Sequence, residues 1–204
     1  MDEKIKILMT LGTTSREGAQ TYSINVLRNI DQKQFQIDFA VNYRSNNGYE
    51  REMEQYGCKI HIVPKFRGYN YWKYKHAWTN LFAREKYDIV HVHGARANFI
   101  AALLKPRINV PVITTVHSDY KLDFTESLYK KLVFTATNTL ALRLMDYYIG
   151  VSDNFKRMLV SRGFNPNKVY TVYNGMDYDK PADFCSKEEF AKNMQVNSIF
   201  PCSL

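Results

Sequence analysis

Two short segments of this chain each end a β-branched apolar run in histidine, and they narrow the choice of fold more than any other feature. Tyr87–Gly94 reads Tyr-Asp-Ile-Val-His-Val-His-Gly. Val110–Asp119 carries the run Val112–Val116, followed by His117, Ser118 and Asp119. Runs this short, rich in Val, Ile and Thr and bounded by Gly94 and Pro111, have the make-up of central parallel strands. Ligands of open α/β sheets bind just beyond the carboxyl ends of such strands. His93 and His117 are therefore expected at the upper sheet edge, either as working groups or as satisfied loop histidines.

The rest of the chain supplies the sheet around them. Lys4–Leu11 reads as the first strand, followed by Gly12, a polar loop Thr13–Glu17, then Gly18-Ala19-Gln20 and a helix over Thr21–Ile30. A strand, a glycine-bearing loop and a helix commonly bring backbone N–H groups to a phosphate. Gly12, Gly18 and Ala19 are the candidates here. The loop is neither G-x-G-x-x-G nor a lysine-bearing P-loop, so a plain βα turn stays open.

Strands follow at Phe35–Val41 and Lys59–Val63, with a charged helix Tyr49–Tyr56 between them. A helix over Ala95–Lys105, a longer one over Ser127–Met145 and a strand at Tyr147–Val151 come after Gly94. Ser152-Asp153 caps a helix over Asn154–Arg162, and Lys168–Tyr173 is the last strand. About seven strands alternate with helices, and each connection is long enough for a crossover. The prediction is α/β, a Rossmann-like, doubly wound, mostly parallel sheet filling residues 1–175. Residues 176–204 read as a connector, a short helix opened by Ser186-Lys-Glu-Glu189 and an irregular tail.

Lys65–Lys86 is the unusual stretch. It holds seven aromatics and six basic residues against one acid, Glu85. From Tyr71 it fits a helix with Tyr74, Trp78 and Leu81 on one side and Lys73, His76 and Arg84 on the other. It is an ordinary docked helix or a membrane-surface patch, with Trp72, Lys73, His76, Trp78 and Arg84 as candidate contacts. A nucleic-acid platform is less favoured, since no known nucleic-acid-binding motif accompanies it. The net charge of +8 suits anionic surfaces and phosphorylated small molecules alike. Cys58, Cys185 and Cys202 are too few and too widely spaced for a disulfide framework or a zinc site, so no metal is expected and a reducing cytoplasm fits. No apolar run reaches the ~20 residues of a membrane span.

Four stretches together resemble the N-terminal half of GT-B-fold glycosyltransferases of the large retaining family 4. They are Gly12 with Glu17-Gly18-Ala19-Gln20, Asp88-Ile-Val-His-Val-His-Gly94, Thr114-Thr-Val-His117-Ser, and Ile149-Gly-Val-Ser152 with Val169-Tyr-Thr-Val-Tyr-Asn174-Gly-Met-Asp177. The resemblance implies transfer of a sugar from a nucleotide-sugar, UDP-linked, to an acceptor held by this half. It places Gly18 at the donor and makes His117 the catalytic contact to the sugar, with His93, Ser118, Asp119 and Ser152 as acceptor- or sugar-side candidates. Glu17 stands where the family usually has glycine. The family's donor half brings two Glu eight positions apart, and no such pair occurs in this sequence.

The chain is therefore expected to be an acceptor-side domain, truncated or naturally separate and inactive alone. It would serve envelope or exopolysaccharide synthesis on a lipid-linked acceptor, in the cytoplasm or peripherally on the inner membrane face. The competing reading is a non-catalytic acceptor- and membrane-binding subunit of a split enzyme. A third, an NAD-type Rossmann protein, is disfavoured because Val41-Asn42-Tyr43-Arg44 lacks the ribose-binding acid.

Overall fold

A computed structural model describes residues 4–46, 48–119, 121 and 128–175, the side chains at 68, 128–131, 133 and 134 excepted. The elements alternate without exception: β1 (Ile5–Thr10), α1 (Gly18–Asn29), β2 (Phe35–Val41), α2 (Glu50–Gln55), β3 (Ile60–Ile62), α3 (Tyr71–Glu85), β4 (Ile89–His93), α4 (Gly94–Leu104), β5 (Val112–Val116), α5 (Leu128–Arg143), β6 (Tyr147–Gly150), α6 (Asp153–Ser161) and β7 (Val169–Thr171). The seven strands form one sheet in the order β3-β2-β1-β4-β5-β6-β7. Every pairing is parallel, because each connection between neighbours carries a helix. The sheet is thus wholly rather than mostly parallel.

Side-chain alternation along the strands divides the core in two. Ile7 and Met9 of β1, with Ile37, Phe39 and Val41 of β2, face Ile24 and Leu27 of α1 and Met53 of α2. Leu8, Ala40, Val90, Val92 and Val112 point the other way. There they meet Tyr74, Trp78 and Leu81 of α3, Ala101 and Leu104 of α4, Leu142 of α5 and Leu159 of α6. Burying each large apolar side chain contributes roughly 1.5–3 kcal/mol, which fixes each strand's register. Across the second core a buried polar chain ties α4 to the sheet and to α5: Thr114 Oγ1 donates to Asn98 Oδ1 at 2.7 Å, and Asn98 Nδ2 donates to Asn138 Oδ1 at 3.5 Å.

Two expectations are corrected. Helix α1 begins at Gly18 rather than Thr21, so Gly18 and Ala19 belong to its first turn instead of the loop. Trp78 is 4% exposed and packs beneath α3, so it is a core residue and not a surface contact, whereas Trp72 is 67% exposed. The proposed connector, short helix and tail over 176–204, with Cys185 and Cys202, lie outside the described residues, as does most of the loop before α5. Cys58 is buried, and burial, with Asp38 nearby, pushes its thiol up to about 12.

Candidate active site

The strand order reverses direction between β1 and β4. Connections leaving β1 and β4 diverge there, opening a crevice at the carboxyl edge. β1 delivers Gly12 to that edge, β4 ends in His93, and β5 leads into His117. Register places His93 beside Thr115, two residues before His117. Tyr22, one turn into α1, lies edge-on to both histidines, 5.6 Å from the His93 ring and 5.1 Å from the His117 ring. The N-terminus of α1 and the two histidines therefore share one corner of the sheet.

His93 Nδ1 and His117 Nε2 are 3.1 Å apart, so one ring donates to the other. His91, on the same face of β4, lies with its ring centre 4.4 Å from that of His93 and tilted by 32°, and its Nε2 bonds Thr115 Oγ1 at 2.7 Å. Burial keeps all three rings neutral at physiological pH. His91 is pushed down to about 4, by desolvation first and by His117 second. His93 falls well below the ordinary value through desolvation and the two neighbouring rings, and desolvation also lowers His117. His93 is 9% exposed and its Nε2 has no partner. His117 is half-buried, with Nδ1 as the nitrogen not engaged by His93. That nitrogen can donate to, or accept from, a sugar hydroxyl, and can donate to a phosphate oxygen.

Gly12 and Gly18 are exposed, and no atom lies within 4 Å of where a Cβ would sit on either. The space in front of both is free for a ligand. No side chain caps α1, so its first amides are available to an anion. Glu17 at the N-cap instead accepts a hydrogen bond from Ser15 Oγ at 2.8 Å. Two other glycines shape the edge for backbone reasons. Gly94 has φ +80° and makes the abrupt turn from β4 into α4. A Cβ on Gly150 would lie 2.9 Å from the Lys156 nitrogen, so glycine lets α6 close onto β6.

The remaining candidates scatter. Ser118 is exposed beside His117. Asp119 is committed to Arg162, receiving its two guanidinium nitrogens at 2.8 and 2.7 Å, which holds the carboxyl below its usual range. Its visible role is to pin the loop after β5 to the end of α6. Ser152 occupies the α6 N-cap without a side-chain cap bond. Asp153 accepts from Thr171 Oγ1 and Tyr173 Oη, both at 2.8 Å. Trp72, Lys73, His76 and Arg84 lie exposed on α3, far from this corner in sequence and on a different element. Among the described residues no helix is long and apolar enough to cross a membrane.

Among the described residues one group of metal-type ligands gathers elsewhere: Asp38, His61 and Glu85, with ligand atoms within 4.8 Å of one another. Its members already have partners. The Tyr87 hydroxyl lies 2.9 Å from both Asp38 and His61, while Glu85 pairs with Lys59 and Arg84.

Sequence reasoning passed over His91, Tyr22 and Arg162. The period of two along β4 carries His91 to the face of His93, and Tyr22 lies four residues after Gly18 on α1, so both had a local signal. The Asp119–Arg162 pair spans 43 positions and had none.

Residues 16–180 match Glycosyltransferase Family 4. The chain is 26% identical over 116 residues to the Escherichia coli UDP-Gal:alpha-D-GlcNAc-diphosphoundecaprenol alpha-1,3-galactosyltransferase, covering 56% of this chain and 30% of that protein. It is 30% identical over 146 residues to an uncharacterized glycosyltransferase of Methanocaldococcus jannaschii, covering 69% and 39%. Among solved structures, a Rickettsia africae glycosyltransferase superposes with TM-score 0.62 at 16% identity over 98% of this chain and 52% of its own. Anabaena HepE in complex with UDP and glucose gives 0.61 at 16% identity, over 94% and 50%. The structural matches speak to the fold alone. The chain spans less than half the length of the two curated relatives and about half of the two solved chains.

Proposed function

The chain belongs to glycosyltransferase family 4, and from that premise we propose that it forms the acceptor-side half of a retaining transferase. The enzyme moves a sugar from a UDP-linked donor to a lipid-linked acceptor of envelope or exopolysaccharide synthesis. The observation that carries the reading is the neutral His93–His117 pair at the sheet reversal, with the open glycines and uncapped N-terminus of α1 at the same corner. The leaving diphosphate gains charge in the transition state. Fixed amides and a positive helix end aimed at it stabilise that charge without reorganising.

In this scheme His117 Nδ1 contacts the donor sugar and Gly18 and Ala19 lie along the donor phosphates. His93 holds the His117 ring in place, Ser118 and Ser152 lie on the acceptor side, and Asp119 positions the loop. The nucleotide-sugar is a substrate, and no resident cofactor or metal is assigned. The family's second half completes the donor site, so this chain alone turns over poorly. The E. coli relative's lipid diphosphate acceptor supports the choice of acceptor class. The exposed basic and aromatic side of α3 supports a peripheral place on the cytoplasmic membrane face.

The test is His117→Ala in an enzyme containing both halves. Transfer is expected to fall by at least ~100-fold, the usual range for a lost proton-transfer or polar group at the reacting centre. Circular dichroism is expected to remain that of the parent. Near-normal turnover would remove His117 from the mechanism.

A further inference from the structure

Helix α1 and the two histidines come from separate elements, yet the proposed chemistry needs them in a fixed mutual placement. The amides of the first turn of α1 face the donor phosphates, and His117 Nδ1 faces the sugar. Tyr22 is the side chain that joins the two parts. It lies one turn after Gly18 and is 7% exposed. Its ring meets the His117 ring edge-on at 5.1 Å, with 80° between the planes, and the His93 ring at 5.6 Å and 61°. Its hydroxyl hydrogen-bonds the Thr115 side chain. Other side-chain bonds of α1 lead elsewhere. Gln20 Nε2 donates to the Thr13 carbonyl at 3.3 Å, Thr21 meets the Tyr49 hydroxyl at 3.1 Å, and Asn25 Nδ2 donates to the Gly175 carbonyl at 3.0 Å.

Thr115 carries the tie into the sheet. It is 1% exposed, pairs in register with His93 on β4, and precedes His117 by two residues. Its Oγ1 also bonds His91 Nε2 at 2.7 Å. One hydroxyl thus links α1, β5 and β4. A threonine hydroxyl has one proton and two lone pairs, so it serves both neighbours at once. Packing alone would be served by phenylalanine at position 22, which brings no hydroxyl to desolvate. The hydroxyl adds a fixed point: it sets where the far end of the ring lies, and with it the height of α1 over β5.

We propose that Tyr22 is a positioning residue for sugar transfer. Through its hydroxyl on Thr115 it holds the first turn of α1, and through its ring edge it holds the His117 imidazole, in the relative placement the reaction needs. It acts through Gly18, Ala19 and His117 and touches neither phosphate nor sugar itself. The inference rests on the family reading above. Displacing a reacting group by about 1 Å can cost ~100-fold in rate. The amides of α1 act on charge that the diphosphate gains only in the transition state, so lost placement shows in kcat rather than in KM.

The experiment has two arms. In an enzyme containing both halves, kcat and KM for the nucleotide-sugar are measured, with the folding of every variant checked by circular dichroism. Tyr22→Phe keeps the ring and loses the tie; kcat should fall at least ~10-fold, with KM within ~3-fold of the parent. Tyr22→Leu loses both, and kcat should fall at least ~100-fold. Tyr22→Phe combined with Thr115→Val should be no more than ~2-fold slower than Thr115→Val alone, since both changes break the same bond. Thr115→Ser, which keeps the hydroxyl, should recover most of the loss seen with valine. In the second arm this chain alone is labelled with nitrogen-15 in histidine. The ring nitrogens of His93 and His117 should give one set of signals in the parent and in Tyr22→Phe, and shifted or doubled signals in Tyr22→Leu. If Tyr22→Leu does not fold, Tyr22→Met takes its place.

A kcat within ~2-fold of the parent in both Tyr22 variants overturns the proposal. A loss carried wholly by KM also overturns it, because Tyr22 would then belong to ground-state binding. Additive losses in the double variant would show that Tyr22 and Thr115 act apart, and overturn it too. The family reading fails separately. If the unsubstituted two-half enzyme transfers no sugar, that reading falls, and the histidine signals of this chain still decide whether Tyr22 holds the rings. Unchanged signals in the variant without the ring overturn the proposal even where transfer proceeds.

Discussion

Acidification should unfold this protein well before its carboxylates titrate, because three histidines are buried uncharged in one cluster. His91 is pushed down to about 4 in the folded chain, whereas an unfolded histidine protonates near 6.5. Below the unfolded value, the unfolded chain binds a proton that the folded chain refuses. The stabilising contribution is therefore complete above about pH 6.5 and drains away as pH falls toward 4. Linkage puts the loss from His91 alone at about 2 kcal/mol by pH 5 and about 3 kcal/mol by pH 4. His93 and His117 are shifted in the same direction and add to it.

Tyr22 and Thr115 face the cluster, and neither carries a charge that would offset the loss. The depressed carboxyls of Asp119 and Asp153 work in the opposite part of the scale. Their stabilisation is lost only as pH falls below the ordinary carboxylate value. The assay is urea unfolding followed by far-ultraviolet circular dichroism at about pH 7.5, 6 and 5. The midpoint should fall with little change in slope. In His91→Gln, which keeps a donor for Thr115, the drop between the extremes should shrink by about 2 kcal/mol. A wild-type stability that changes by less than ~0.5 kcal/mol over that interval would refute the reasoning.

Three further outcomes are expected. Trp78→Ala should cost about 3–5 kcal/mol, as for other buried aromatics, while Trp72→Ala on the same helix should change stability by less than ~0.5 kcal/mol; similar values for both in urea melts would contradict the packing of α3. The chain should sediment with anionic vesicles at low salt, release at high salt, and lose binding when Lys73 and Arg84 become Glu; equal binding to neutral vesicles would return α3 to being an ordinary docked helix. Arg162→Ala should cost roughly 1–3 kcal/mol by stranding the Asp119 carboxylate, and Arg162→Lys should recover only part because it cannot make the two-point contact; full recovery by Lys would show that charge alone matters.

Much of this architecture was legible residue by residue. Phe35–Val41 is the strand that alternation predicts, to the residue, whereas β5 keeps only the β-branched run Val112–Val116 of a strand expected over Val110–Val116. The parallel arrangement followed from the length of each connection. Strand ends were less legible, since Lys59 and Val63 have strand-like composition but lie outside β3. The placement of His93 and His117 at one edge followed from their position after short buried runs. Their hydrogen bond did not, because it depends on which strands become neighbours. Trp72 and Trp78 show the complementary limit: composition groups them as aromatic residues among basic ones, and helical phase separates them onto opposite sides. Tyr22 carried a helical signal, but nothing local says that its ring will meet histidines from two other strands.

The single hydrogen bond between His93 and His117 has a consequence for selectivity. With both rings neutral, the pair holds two ring protons, and one of them occupies the 3.1 Å gap. The other lies either on His117 Nδ1, facing the crevice, or on His93 Nε2, buried on the α1 face of the sheet. The two outward nitrogens are thus anticorrelated: when one donates, the other accepts. A sugar hydroxyl that accepts from His117 Nδ1 leaves His93 Nε2 unprotonated, and one that donates to His117 Nδ1 puts the proton on His93 Nε2. The donor or acceptor character of the exposed nitrogen is thereby tied to the protonation of the buried one, with no backbone displacement.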